Sequence, residues 1–372
     1  MAVYGDSLNA NEVANFLEFC FEKNLEQENA SGERPTPICV WGAHGLGKTL
    51  TVRAIARAKG WPLAYCAPAQ FEEMGDLHGL PVKIIPDDGV DGYTAYLPPQ
   101  WVPKDDGPGI LLLDDINRAD DRILRGLMQL LQNFEMFSWR MPPKWQIVLT
   151  ANPADGDYSV TTMDDAMLTR MSHVTMKFDP KVWAGWAAKD GVHPVGIDFV
   201  LTYPEVVTGK RTTPRSLVQV FSKLPADLSE LRRNLGRVTT IARSGLDEET
   251  VSAFLAFIND ELEFLVGPSD ILEAENFEDV RQRIVDASKG KRGTVRLDRL
   301  STICTRLLLA ISGSEYQTPS QKNRKNVIKF LMMPELPADL RFGLHRDIVA
   351  LPGERPTLVQ DAVLAKLILK MI

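Results

Sequence analysis

The sequence predicts an α/β first half, a parallel sheet flanked by helices, followed by an all-α lid and a mainly helical C-terminal region. Three observations carry this. Short, almost wholly apolar runs recur at helix-length intervals between residues 38 and 178, as strands covered on both faces require. A glycine-rich stretch, Gly42 to Thr49, joins the first of these runs to a helical pattern. After about Pro180 strand patterns fade and helical periodicity takes over.

Taken in order, residues 8–25 place Val13, Phe16, Leu17, Phe19, Cys20 and Phe21 at helical spacing after an Asn-rich start. The polar run Glu26 to Arg34, with Pro35 and Pro37 behind it, reads as a linker. Ile38–Trp41, Leu63–Cys66, Ile110–Leu113, Ile147–Thr150 and Val174–Phe178 are the expected strands. Val182–Lys189, Pro194–Tyr203, Pro214–Lys223, Leu228–Leu235 and Glu248–Leu265 are the expected helices that follow. The resulting division is residues 1–34 as N-terminal helix and linker, 35–179 as the α/β core, 180–224 as a helical lid, and 225–372 as a mainly helical region without an assigned role.

Composition narrows the function classes. A net charge of −7, from 42 basic and 49 acidic side chains, argues against a general polyanion binder. The charge is unevenly spread, with acids concentrated in Asp227–Asp286. After that come Lys289, Lys291, Arg292, Arg296, Arg299, Arg306, Lys322, Arg324, Lys325 and Lys329. Aromatic side chains for base stacking are sparse in that basic stretch, so a solvated or intersubunit face is favoured over a nucleic-acid partner. Cys20, Cys39, Cys66 and Cys304 show no CxxC spacing and the five histidines no clustering, which indicates neither a zinc site nor a disulfide framework. No signal-peptide pattern and no apolar run near the roughly 20 residues of a membrane span are present. Reduced thiols, a cytoplasmic location and no membrane partner are expected.

Gly42-Ala43-His44-Gly45-Leu46-Gly47-Lys48-Thr49 fits GxxxxGK[ST], with a strand before it and a helix from Leu50 behind it. Glycines let such a loop curl so that backbone N–H groups and the helix N-terminus face phosphate oxygens. Lys48 would reach the β- and γ-phosphates and the Thr49 hydroxyl would ligate Mg²⁺. The acidic partner is the end of Ile110-Leu111-Leu112-Leu113-Asp114-Asp115. There Asp114 would hold Mg²⁺ and Asp115 would orient the attacking water.

With both motifs in place, the sequence from about Ile38 to Leu224 resembles the AAA+ ATPases, and within them the MoxR group and its dynein-related relatives. LLLDDINRAD is similar to the group's LLLDEINRA, and Gly75-Asp76-Leu77-His78-Gly79-Leu80-Pro81 to the segment that follows its second strand. The resemblance implies a P-loop NTPase AAA+ core that uses ATP and Mg²⁺. It implies a homo-oligomer, typically a hexamer, that remodels or activates a protein client, often alongside a partner with a von Willebrand factor A domain. Thr150-Ala151-Asn152-Pro153 resembles sensor 1, which implies that Asn152 meets the γ-phosphate or the attacking water. Asp164 to Arg170 resembles the (D/E)-A-x-L-x-R stretch, making Arg170 an arginine finger reaching a neighbour's nucleotide. Thr213-Pro214-Arg215 resembles sensor 2, so Arg215 would contact phosphate, within its own subunit or across the interface. Arg118 is a further interface candidate. Phe134–Arg140 and Asp87–Tyr96 resemble two hairpins of this branch that line a ring pore or touch a client, and both also read as ordinary surface hairpins.

The group usually has Glu where this chain has Asp115, one methylene shorter, and a carboxylate misplaced by about 1 Å can cost roughly 10²-fold in rate. Two alternatives stay open. NRAD followed by Leu127-Met128-Gln129-Leu130-Leu131 also resembles the McrB group, which implies a nucleic-acid-linked motor or GTPase. Asp115 also suits a nucleotide-dependent assembly scaffold with weak hydrolysis.

Overall fold

A computed structural model describes residues 4–85, 92–153, 160–208, 211–261, 266–289, 295–313 and 315–369. The chain forms two compact units, Met1–Val182 and Trp183–Ile372.

In the first unit the elements run β1 (Ser7–Leu8), α1 (Ala10–Ser31), β2 (Ile38–Trp41), α2 (Lys48–Lys59), β3 (Leu63–Cys66), α3 (Met74–His78), β4 (Leu80–Ile84) and β5 (Tyr93–Leu97). They continue with β6 (Gly109–Leu113), α4 (Asp121–Asn133), β7 (Trp145–Ala151), α5 (Asp165–Leu168) and β8 (Ser172–Met176). Six strands make a wholly parallel sheet in the order β1-β8-β2-β7-β6-β3, and β4 with β5 form a separate antiparallel ribbon. The apolar runs follow from burial on both faces. Ile38, Val40, Ile110, Leu112 and Val148 pack against Val13, Leu17 and Phe21 of α1 and Val52 and Ile55 of α2. Their neighbours Cys39, Trp41, Leu111, Leu113, Ile147 and Leu149 pack against Leu124, Leu127 and Leu131 of α4. Each such side chain contributes about 1.5–3 kcal/mol, so the sheet centre is the stable frame of the unit. Trp41 pairs with Ala151, and Leu113 with Leu149. The chain therefore leaves β2, β6 and β7 at nearly one level, and there the glycine loop, the Asp pair and Asn152 begin.

The run 26–34, expected as a linker, instead continues α1 as far as Ser31. Its polar residues fit because the last turns are solvent-facing, and Gly32 ends the helix in the left-handed region at φ 71°. Arg34 is also anchored, donating to the carbonyls of Met141 (2.8 Å) and Pro142 (3.2 Å). With β1 paired to β8, residues 4–34 build part of the first unit's frame. Helix α1 starts in a capping box. Asn9 Oδ1 accepts from the N–H groups of Asn11 and Glu12 (both 3.0 Å), and Glu12 accepts from the Asn9 N–H (2.8 Å). Replacing Asn9 with Ala should lower stability by about 1 kcal/mol in denaturant titration.

The second unit is helical: α6 (Pro180–Lys189, begun in the first unit), α7 (Pro194–Thr202), α8 (Pro214–Phe221), α9 (Leu228–Arg233), α10 (Leu235–Arg243) and α11 (Glu248–Ala256). Then come α12 (Pro268–Leu272), α13 (Phe277–Ser288), α14 (Leu297–Ser312), α15 (Gln321–Leu331), α16 (Ala338–Val349) and α17 (Ala362–Leu369). The helix expected over 248–265 ends at Ala256 and passes into a π-turn, Phe257–Glu261; residues 262–265 lie outside the described residues. Packing crosses position 225 without a break, because Phe254 meets both Phe199 (5.0 Å) and Phe221 (5.4 Å). The acidic and basic stretches meet at Lys322 on Glu275, while Arg283 pairs with Asp270 (3.0 Å) inside the acidic stretch and Arg281 reaches Glu335 (2.6 Å). Lys291 and Arg292 lie outside the described residues.

Asp198 of α7 is buried against Arg306 of α14 at 2.8 Å. Burial pushes its carboxyl up to about 6, Arg306 pulling the other way. The folded state thus holds this proton more tightly than the unfolded one. The group's contribution to stability is complete below about pH 4 and is lost as pH rises through about 6. Unfolding titrations between pH 4 and 7 should show wild type losing up to roughly 3 kcal/mol relative to Asp198→Asn.

Candidate nucleotide-binding site

The glycine loop curls because Gly45 (φ 75°) and Gly47 (φ 94°) occupy the left-handed region, where a Cβ is costly. A Cβ on Gly47 would meet no atom within 4 Å, so the constraint to glycine there comes from the backbone conformation and not from crowding. Ala43, His44, Gly45 and Leu46 are half-buried, and Leu50 is exposed. Lys48 is buried at the start of α2. Its ammonium donates to the carbonyls of Gly42 (2.7 Å) and Ala43 (3.1 Å) and to Asn152 Oδ1 (3.1 Å).

Beside it, Thr49 Oγ1 donates to Asp114 Oδ1 at 2.6 Å. The same oxygen accepts from Thr150 Oγ1 (2.7 Å), while Asp114 Oδ2 accepts from the Tyr65 hydroxyl (3.1 Å). Asp115 has its backbone in the left-handed region, φ 49°, and its N–H donates to Thr150 Oγ1 (2.8 Å). Its carboxylate accepts from Asn152 Nδ2 (3.0 Å) and faces Arg118 Nε (3.6 Å). Asn152 is itself gripped at the backbone by Asn117, whose amide donates to the Asn152 carbonyl (2.7 Å) and accepts its N–H (3.1 Å). The folding of the sheet thus joins Lys48, Thr49, Asp114, Asp115 and Asn152 in one network.

Three members of that network have no counterpart in the sequence reading. Tyr65 lies on β3 beside Leu112, so the β3–β6 register carries its hydroxyl to Asp114. Burial first, and the Asp114 charge next, hold its phenol above the ordinary range, so it remains a donor. Arg53 lies over the Tyr65 ring at 4.8 Å. The Thr150 hydroxyl and Asn117 are the other two, and only Asn117 had a local signal, in the turn after the Asp pair.

Thr49 and Asp114 together supply two oxygen donors, which fits Mg²⁺, an ion that binds few protein ligands and takes the rest from phosphates and water. Among the described residues no group of three His, Cys, Asp or Glu side chains offers a complete metal cage. None of the four cysteines is in a disulfide, and burial pushes the Cys66 thiol up to about 12 and the Cys39 thiol upward as well.

Arg170 follows α5 and donates from Nε to Gln132 Oε1 (3.1 Å) and from Nη1 to the Ala166 carbonyl. Arg215 is exposed in the first turn of α8, in the second unit, behind the Thr213 cap.

Of one expected hairpin, over 87–96, only residues 92–96 are described, and its ribbon begins earlier in the chain, at Leu80. Ribbon strands β4 and β5 pair Leu80 with Leu97 and Ile84 with Tyr93, while residues 86–91 of this hairpin lie outside the described residues. The second is a tight loop closed by the Glu135–Arg140 bridge, with Phe137 at its tip 67 % exposed. The Phe137 ring meets Tyr96 edge-on at 4.9 Å, so the two inserts touch.

Residues 37–171 match the family model described as the AAA domain of the dynein-related subfamily. Glycine loop, parallel sheet and this match define the first unit as an AAA+ P-loop NTPase fold. Among solved structures, the RuvB Holliday junction branch migration motor of Thermotoga maritima is 16 % identical, with 76 % of this chain and 91 % of that chain covered and a TM-score of 0.39. A mutant form of the same RuvB is 14 % identical, covering 76 % and 91 %, at a TM-score of 0.40. NtrX of Brucella abortus is 13 % identical, covering 67 % and 71 %, at 0.33. No curated protein matches the chain. Among the described residues no helix is long and apolar enough to cross a membrane.

Proposed function

We propose that this chain is a Mg²⁺-dependent ATPase of the MoxR kind, assembled as a homo-oligomeric, six-membered ring in the cytoplasm. Hydrolysis there drives remodelling or activation of a protein partner, one bearing a von Willebrand factor A domain. Residues 35–179 act as the nucleotide-binding core and 180–224 as its lid. The observation that carries the reading is the single network from Lys48 through Asn152 to Asp115, with Thr49 and Asp114 oxygens 2.6 Å apart beside it.

Each residue has a physical task. The loop N–H groups of Gly42 to Thr49 and the Lys48 ammonium bind the phosphates, with Leu50 on the first turn of α2. Thr49 and Asp114 hold Mg²⁺, which neutralises phosphate charge when bound. Asp115 orients the attacking water and Asn152 contacts that water or the γ-phosphate. Arg170 of a neighbouring subunit meets the charge that spreads over the γ-phosphate, and Arg215 binds phosphate from the lid.

The test is turnover of ATP and of GTP by purified protein with Mg²⁺, with and without DNA, while assembly is followed by light scattering. ATP-selective turnover that DNA leaves unchanged supports the reading. GTP preference with DNA stimulation would replace it with the McrB-like alternative, and nucleotide-dependent assembly without turnover would replace it with the scaffold. Because Asp115 is one methylene shorter than Glu, Asp115→Glu should raise kcat by about tenfold while leaving nucleotide affinity within about twofold.

A further inference from the structure

Both oxygens of the Asp115 carboxylate face side chains of the protein, although the carboxylate is partly solvent-exposed. Asn152 Nδ2 donates to Oδ1 at 3.0 Å, and Arg118 Nε lies 3.6 Å from Oδ2. Local geometry brings the guanidinium there. The Asp115 carbonyl accepts the Arg118 N–H at 2.9 Å, closing the 3₁₀ turn Ile116–Arg118. Residues three apart eclipse one another in such a turn, so Arg118 stands over Asp115. The Asp115 backbone is set by its own left-handed conformation and by its N–H bond to Thr150 Oγ1. Beyond Asn152 the contacts run on to Lys48 and the carbonyls of Gly42 and Ala43. Arg118 forms the outer end of this chain, with 41 % of its side chain in solvent.

We propose that Arg118 is a positioning residue that restrains Asp115, holding its carboxylate against Asn152 and away from the water it has to polarise. The inference rests on the ATPase reading above and concerns the regulation of that same site. An oxygen facing a cation is less available to a water proton. The short Asp side chain cannot reach past the guanidinium, whereas Glu would extend beyond it. The pair is exposed and therefore weak, so the restraint slows turnover without abolishing it.

Steady-state ATP hydrolysis by wild type, Arg118→Gln, Arg118→Lys, Asp115→Glu and the Asp115→Glu/Arg118→Gln double variant tests this. Binding of a fluorescent ATP analogue serves as the folding and affinity control. Expected are a two- to fivefold rise in kcat for Arg118→Gln with KM unchanged, and near wild-type rates for Arg118→Lys. In the Glu background Arg118→Gln should add less than it does in wild type, because the restraint has already been bypassed. An unchanged or lowered kcat for Arg118→Gln, or a gain that simply multiplies that of Asp115→Glu, would overturn the proposal while leaving the ATPase reading intact. Turnover absent from wild type and from Asp115→Glu alike would remove the ATPase reading, and this inference with it.

Discussion

Lys48→Ala should abolish nucleotide turnover and weaken ATP binding at least 10²-fold. In the folded chain the Lys48 ammonium already has three oxygen acceptors, the Gly42 and Ala43 carbonyls and Asn152 Oδ1, in a buried position. Phosphate oxygens are stronger, charged acceptors, so a bound nucleotide would offer the ammonium anionic partners in place of neutral ones. Charge-assisted bonds of this kind are worth about twice a neutral one, and two phosphates supply several. The substitution also strands three acceptors, at a stability cost of about 1–3 kcal/mol. Binding therefore has to be read by calorimetry at a temperature where the variant is still folded. Affinity for MgATP within threefold of wild type would remove Lys48 from the site, whatever the rate.

Arg170→Ala should leave ATP binding within about twofold and reduce kcat by roughly 10³-fold or more. Its side chain touches only Gln132 and the Ala166 carbonyl among the partners described, so its loss should cost little stability. The sharper measurement mixes two dead variants. Lys48→Ala subunits contribute an intact Arg170, and Arg170→Ala subunits an intact loop. In a randomly mixed head-to-tail ring about a quarter of the interfaces combine the two, so turnover should return to roughly that fraction of wild type. Failure of the mixture to recover activity, with mixed assembly demonstrated, would show that Arg170 does not act in trans.

The limits of sequence reading are visible in these same residues. Gly42 to Thr49 and the Leu113-Asp114-Asp115 strand end were legible because each is a contiguous stretch whose composition is dictated by local chemistry. A loop that curls needs its glycines next to its lysine, and a strand buried on both faces has to be apolar to its end. Tyr65 and Thr150 carry no such mark. Their hydroxyls matter only because β3, β6 and β7 are neighbours in register, 49 and 36 residues apart in contact with Asp114. The polar end of α1 misled for the opposite reason, since an exposed helical turn and a linker share a composition and only Gly32 marks the true stop.

The sequence by itself determined the class of fold, the loop and acidic pair that a nucleotide would require, and the order in which they occur. The tertiary structure alone decided which partners those groups keep: Tyr65 on Asp114, Asn117 on Asn152, Arg118 over Asp115. The difference is one of range. Strands and the glycine loop are specified by neighbours along the chain. A carboxylate's hydrogen-bond partners depend on strand order, register and one left-handed residue, which exist only once the sheet has closed.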